Sequence, residues 1–181
     1  MDTRVIDKSW LCRPVGADAR LRRWLLDRGS LTRRIQLRSQ RFGVALLALT
    51  LAPATRDERA LVEAAPRESC AVREVALHGD GVAVVFAHSV AARRALKGPW
   101  RLLLTLGTRP LGAALFADPS VARQPLRFRQ IRQGHELYRK ACRQLDVAPA
   151  SLWARRSLFL FRGSRLLVTE VFLPAILTLA P

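Results

Sequence analysis

The segment His78-Gly79-Asp80-Gly81 lies between two apolar runs rich in β-branched residues, Cys70 to His78 and Val82 to Val90. Asp-Gly between such runs is the strongest short-range hairpin signal, because the two-residue turns that match strand twist need positive φ at their centre. A second pair of runs, Ser157 to Phe161 and Leu166 to Leu173, flanks Arg162-Gly163-Ser164-Arg165 and stops at Pro174, which has no N–H for a sheet ladder. Between the hairpins, residues 91–117 read as two helices, broken at Gly98-Pro99 and again from Gly107 to Pro110. Hairpin, helices, hairpin is not the alternation of βαβ units. The expected fold is therefore α+β: a single domain over residues 1–181, with an antiparallel sheet and helices packed on one side.

The remaining segments fill in this frame. Leu21, Trp24 and Leu25 take the i, i+3, i+4 spacing of an amphipathic helix within 17–27, which Asp18 starts and Arg28-Gly29 ends. Ser30 or Thr32 can cap a second, short helix through LTRRIQLRSQ, whose first-turn N–H groups also suit an anion. Phe42 to Leu51 reads as a strand in preference to a buried helix, on its short length. Residues 53–69 read as a loop with one helical turn, and 175–181 as a cap. In 127–145, Phe128, Ile131, His135, Tyr138 and Cys142 fit one basic surface helix.

Composition narrows the function. All but three of the 31 Lys and Arg residues are arginines, against 14 Asp and Glu, for a net charge of +17. Such a charge favours anionic partners, although a coding bias toward Arg and Ala gives the same excess with no partner at all. Cys12, Cys70 and Cys142 are odd in number and form no CxxC, which fits free thiols in a reducing, cytoplasmic setting. The longest apolar stretch, Phe42 to Ala54, is interrupted by Thr50 and Pro53 and falls short of the ~20 residues of a membrane span. The first 14 residues lack the apolar core of a secretory signal. Phosphate-loop, dinucleotide-fold, HExxH and GxSxG motifs are all missing. His78, His88 and His135 lie at no metal-ligand spacing, so no metal is expected. LTRRIQLRSQR and Arg127 to Arg143 only partly meet the pattern of a nucleic-acid surface, so no such partner is expected either.

The most informative oddity is charge within apolar strands. Arg73 has Ala71 and Val75 as same-face neighbours, and Glu170 has Val168 and Phe172; Glu74, between Val72 and Ala76, is a rival. A buried charge needs a partner. Either these residues form a structural ion pair, or lie on a water-facing edge, or they serve a ligand.

Taken in order, WLLDRGSLTRR (24–34), VREVALHGDG (72–81), HSV (88–90), LGTRPLGAALF (106–116), WARRS (153–157) and LLVTEVFLP (166–174) resemble the chorismate pyruvate-lyases. The resemblance implies a site buried under flaps and needing no metal or organic cofactor. It also implies conversion of chorismate to 4-hydroxybenzoate and pyruvate, at the entry to ubiquinone synthesis, by a monomer with no stable membrane insertion. Carried over by motif, Arg73 would bind the substrate carboxylate, Glu170 would face the ring hydroxyl and the leaving group, and Leu31 and Leu111 would offer backbone N–H groups. Leu31 follows Ser30 and Leu111 follows Pro110, so both read as helix starts. Two departures touch flap geometry and product release: 119–152 is longer than in compact relatives, and Ala91-Ala92 lacks the usual proline. The alternative function is a non-catalytic domain of the same fold that binds small aromatic acids, as in certain transcription regulators. About 16 residues before the first helix are too few for a DNA-binding module, which favours the enzyme.

Overall fold

The structure is a computed structural model, and it describes residues 9–179. Its elements run α1 (Ala19–Leu25), α2 (Leu31–Gln36), β1 (Phe42–Ala52), α3 (Arg56–Leu61), β2 (Cys70–Gly79) and β3 (Val82–Ala92). After two 3-10 turns come α4 (Leu102–Thr105), α5 (Leu111–Ala117), β4 (Ala122–Arg123), β5 (Arg127–Ile131), α6 (Glu136–Cys142), β6 (Leu152–Phe161) and β7 (Ser164–Phe172). The seven strands form one antiparallel sheet in the order β1-β2-β3-β7-β6-β4, with β5 also paired to β6.

Both hairpins turn on two residues of positive φ, Asp80 (53°) with Gly81 (86°), and Arg162 (47°) with Gly163 (74°). That is the turn geometry whose twist matches the flanking strands. Asp80 is fixed further by Arg41, whose backbone N–H donates to Asp80 Oδ1 at 2.8 Å. β1 is a strand, at the sheet edge, with Leu46, Leu47 and Leu51 exposed. Asp18 caps α1 by accepting from the Arg20 N–H, and of the two candidate caps for α2 it is Ser30 that accepts, from the Arg33 N–H. Pro110 stands just before α5 as its N-cap, one place earlier than the first helical position, so Leu111 opens the helix. The segment after β7 closes the chain against the core through Ile176 and Leu179. Residues 1–8 and 180–181, including the lysine Lys8 and most of the N-terminal segment read for a secretory signal, lie outside the described residues.

Two expectations are corrected. Helices cover both faces of the sheet. Val75, Val85, Trp153 and Phe172 pack against α1 and α2 on one face, whereas Ala76, Phe86, Ala154 and Val171 pack against α6 on the other, with α3 on that side as well. The near-continuous apolar runs of β2 and β3 carry this signal, since a strand with one wet face alternates and one covered on both faces does not. The single helix expected over 127–145 is instead β5, a turn and α6. Phe128 and Ile131, three apart, fit one helix face but equally suit a strand buried on both sides. Phe128 enters the first core and Ile131 the second.

The α6 face holds a buried polar network. His88 bonds Glu74 Oε1 through Nδ1 at 2.9 Å and Glu58 Oε1 through Nε2 at 3.2 Å, and Lys140 reaches Glu74 at 2.7 Å. Burial alone would lower the His88 pKa, but the two carboxylates overcome it and raise it to about 9. Burial works against Glu58 too, yet His88 and Thr55 bring it to about 2. A raised histidine stabilises the fold fully below its unfolded value of 6.5 and loses that contribution as pH rises toward 9. The Glu58 contribution is present above 4.5 and lost as pH falls toward 2. The stability advantage of the parent over His88→Gln is thus expected to be greatest between these limits, at most about 3 kcal/mol, and to shrink by pH 9.5. Denaturant unfolding at pH 6 and pH 9.5 checks this; an advantage independent of pH would contradict it.

Candidate active site

The α1, α2 and α5 face carries the charges that stood out in the sequence. Strand register sets two rows of side chains across this face. One runs Arg73 (β2), Ser89 (β3), Val168 (β7), Ser157 (β6); the next runs Val75, Ala87, Glu170, Arg155. The middle strand contributes only small side chains, Ser89 and Ala87. They leave space between the larger residues to either side, and a cavity occupies it, closed over by Leu31, Pro110, Leu111, Leu115 and Phe116. Arg73, Glu170, Leu31 and Leu111 all line this one cavity. Glu74 faces the opposite side of the sheet, in the His88 network.

Arg73 and Glu170 are not each other's partners. The Arg73 side chain is 2% exposed, and its Nη2 donates to the carbonyls of Gly107 (2.9 Å) and Arg109 (3.0 Å) in the loop before α5. Its Nε is buried with no acceptor in the protein. Burial pushes the guanidinium below its ordinary pKa, although an arginine stays charged. Glu170 takes a 2.5 Å charge-assisted hydrogen bond through Oε2 from Nε of Arg155, a fully buried side chain. Arg155 Nη1 also holds the carbonyls of Trp24, Leu25 and Asp27 at the end of α1. One side chain thereby positions Glu170 and the chain leading into α2.

Sequence alone missed Arg155 as a site residue. The signal was there, because Arg155 shares a face of β6 with Trp153, Ser157 and Phe159, the pattern that exposed Arg73. It missed Arg123 as well, which sits in a two-residue strand with no periodicity to read. Arg123 Nε donates to Ser157 Oγ at 2.8 Å, and its guanidinium lies 5.4 Å from the ring centres of both Phe116 and Phe159.

The roof rests on a close helix contact. A Cβ at Gly112 would lie 3.0 Å from Thr32 Oγ1 and 3.3 Å from Ser30 Oγ, so only glycine lets the first turns of α2 and α5 approach this closely. Gly112→Val is expected to cost ~1 to 3 kcal/mol by overpacking and to weaken ligand binding by spreading the roof. Thermal melts and titration calorimetry check both, and an unchanged melting temperature would contradict the packing.

A larger void, about 280 Å³, opens on the other face beside Trp10, Glu58, Glu74, His88 and Lys140. Its charges are matched within the protein by the His88 network and by a 2.6 Å Arg156–Asp57 bridge. The narrower cavity holds an arginine with no carboxylate partner, so it is the one whose electrostatics call for an anion. Among the described residues, no group of three or more His, Cys, Asp or Glu side chains is placed to hold a metal ion. No helix there is long and apolar enough to cross a membrane, and the three cysteines are free.

Residues 16–180 match the family model described as chorismate lyase. The chain belongs to the chorismate lyase family. It is 48% identical over 172 residues to a protein of Nitrosospira multiformis named a probable chorismate pyruvate-lyase, covering 94% of this chain and 96% of that one. Proteins of the same name from an Azoarcus species and from Aromatoleum aromaticum are 49% and 48% identical, covering 95% and 99% of this chain and 94% and 99% of theirs. Among solved structures, the effector domain of PhnF from Mycobacterium smegmatis aligns with a TM-score of 0.58 at 13% identity, covering 82% of this chain and 91% of that one. The effector-binding domain of the Bacillus subtilis trehalose repressor gives 0.54 at 8%, covering 72% and 89%. Those two share the fold. Sequence likeness along nearly the whole length sets this chorismate lyase family member, and hence a lyase, apart from them.

Proposed function

We propose that the protein converts chorismate to 4-hydroxybenzoate and pyruvate in the cavity between Arg73 and Glu170. The observation that carries this reading is the buried Arg73 Nε, a donor with no protein acceptor in the wall of the cavity. A carboxylate supplies the missing acceptor and the missing charge together, in a bond worth ~1.5 to 3 kcal/mol. Leu31 and Leu111 stand at the first positions of α2 and α5, and their free N–H groups add donors to the same carboxylate.

At the other end of the ring, Glu170 keeps Oε1 for the substrate while Arg155 holds Oε2. In the reaction the bond from the ring to the enolpyruvyl oxygen breaks and the electron pair leaves with oxygen. The proton on the ring carbon bearing the hydroxyl departs, and the ring becomes aromatic. Enolpyruvate takes up a proton and becomes pyruvate, so the atoms balance without oxidant, reductant or added water. Aromatisation provides the driving force. The protein's task is to hold the reactive conformer and place charge where charge develops, and Glu170 receives or relays the ring proton. No covalent nucleophile is needed. The monomeric, cytoplasmic setting and the place at the start of ubiquinone synthesis belong to the same reading.

Incubation with chorismate followed by chromatographic product identification tests it. Equal amounts of 4-hydroxybenzoate and pyruvate are expected; unchanged chorismate, or another hydroxybenzoate isomer, would overturn the reading. Loss of a DNA-binding or purely ligand-binding role is not required for that outcome, but a protein that binds 4-hydroxybenzoate and never turns chorismate over would be the non-catalytic alternative.

A further inference from the structure

The substrate proposed above carries two carboxylates, and Arg73 accounts for one. The cavity wall contains two buried or half-buried arginines, Arg73 and Arg123, and one carboxylate, Glu170, which bonds the neighbouring Arg155. Arg155 is neutralised by Glu170. Arg73 and Arg123 are left, each held only by neutral groups: carbonyls for Arg73, and Ser157 Oγ with the Arg28 carbonyl (2.9 Å) for Arg123. Two guanidinium groups that bond no carboxylate match a dianion, whereas a monocarboxylate such as the product meets only one.

Their placement differs in the way a substrate with two unlike ends requires. Arg123 bonds Ser157 on β6, the far end of the row that Arg73 begins, with Ser89 and Val168 between them, and Glu170 on β7 stands next to that β6 end. Arg123 therefore belongs to the Glu170 end, where the enolpyruvyl group leaves. Its guanidinium lies against both Phe116 and Phe159, whose rings meet edge to face, so its position is set before any ligand arrives. Two nitrogens serve Ser157 and Arg28, which leaves the Nη2 edge for a ligand.

We propose that Arg123 anchors the carboxylate of the enolpyruvyl group, so that the cavity selects a dicarboxylate by one arginine at each end. This rests on the lyase reading. It also implies that departure of pyruvate removes the anion from Arg123 and leaves the retained aromatic acid on Arg73 alone.

The test compares two stable ligands by calorimetry, 4-hydroxybenzoate and its dicarboxylate ether 3-(carboxymethoxy)-4-hydroxybenzoate, on the parent protein, Arg123→Ala and Arg123→Lys, with chorismate turnover measured in parallel. The parent is expected to prefer the dicarboxylate. In Arg123→Ala that preference should fall by ~30-fold or more, and KM for chorismate should rise, while 4-hydroxybenzoate affinity stays within about threefold. Arg123→Lys should regain part of the preference, and it serves alone if the alanine variant does not fold. A preference unchanged by either substitution, or an equal loss for both ligands, would overturn the proposal. A parent protein that leaves chorismate intact would instead overturn the lyase reading, and the two failures are thereby distinct.

Discussion

Arg73→Ala is expected to reduce 4-hydroxybenzoate affinity by about a hundredfold or more, and kcat/KM for chorismate at least as much, since a charged partner in a desolvated site is worth ~2 to 5 kcal/mol. The side chain is nearly fully buried and its Nε has no acceptor in the protein, so its charge is compensated only when an anion arrives. The fold should survive. Arg73 ties the loop before α5 through two carbonyls, but the strand around it is held by its ladders with β1 and β3. Calorimetry and circular dichroism on the purified variant decide the matter. Folded Arg73→Ala that binds the product as tightly as the parent would remove Arg73 from the site.

Glu170→Gln should have the opposite signature. Glutamine keeps an oxygen to accept from Arg155 Nε, so cavity shape and product binding change little, whereas a proton acceptor is lost and turnover should drop ~10²- to 10⁴-fold. The fully buried Arg155 loses its counter-charge, so this variant should also unfold at lower temperature, with a cost of up to ~3 to 5 kcal/mol. A single-turnover measurement well below the melting temperature separates the two effects. Glu74→Gln is the control. It faces the other side of the sheet and bonds His88 and Lys140, so its loss should lower stability and leave turnover near the parent rate. A Glu170→Gln variant with full turnover would end the proton role.

Much of the site was legible because strand periodicity is strict. With side chains alternating faces, a charge among apolar same-face neighbours has to be paired or functional, and that reasoning reached Arg73 and Glu170. It could not tell Glu74 apart, since both faces of β2 are buried and either parity looked equally dry. Nor could it show that Arg73 and Glu170 have separate partners. The Glu170 partner, Arg155, comes from the neighbouring strand across a register that only the folded hairpin fixes. The hairpins were readable from two glycine-containing turns. β5 was not, because its two buried residues, Phe128 and Ile131, point to opposite faces and so carry no alternation, and the basic run after them imitates a helix surface. Arg123 is harder still. Its role arises from Phe116 on α5 and from Ser157 and Phe159 on β6, two elements remote from it in sequence, and no local pattern encodes that meeting.

The location of the chemistry is tested most directly by a crystal structure of the protein grown with 4-hydroxybenzoate. The ring should lie above Ala87 and Ser89, its carboxylate on Arg73 and its hydroxyl on Glu170. A product molecule seated instead in the larger void beside His88 and Lys140, with the Arg73 cavity closed and dry, would contradict the account.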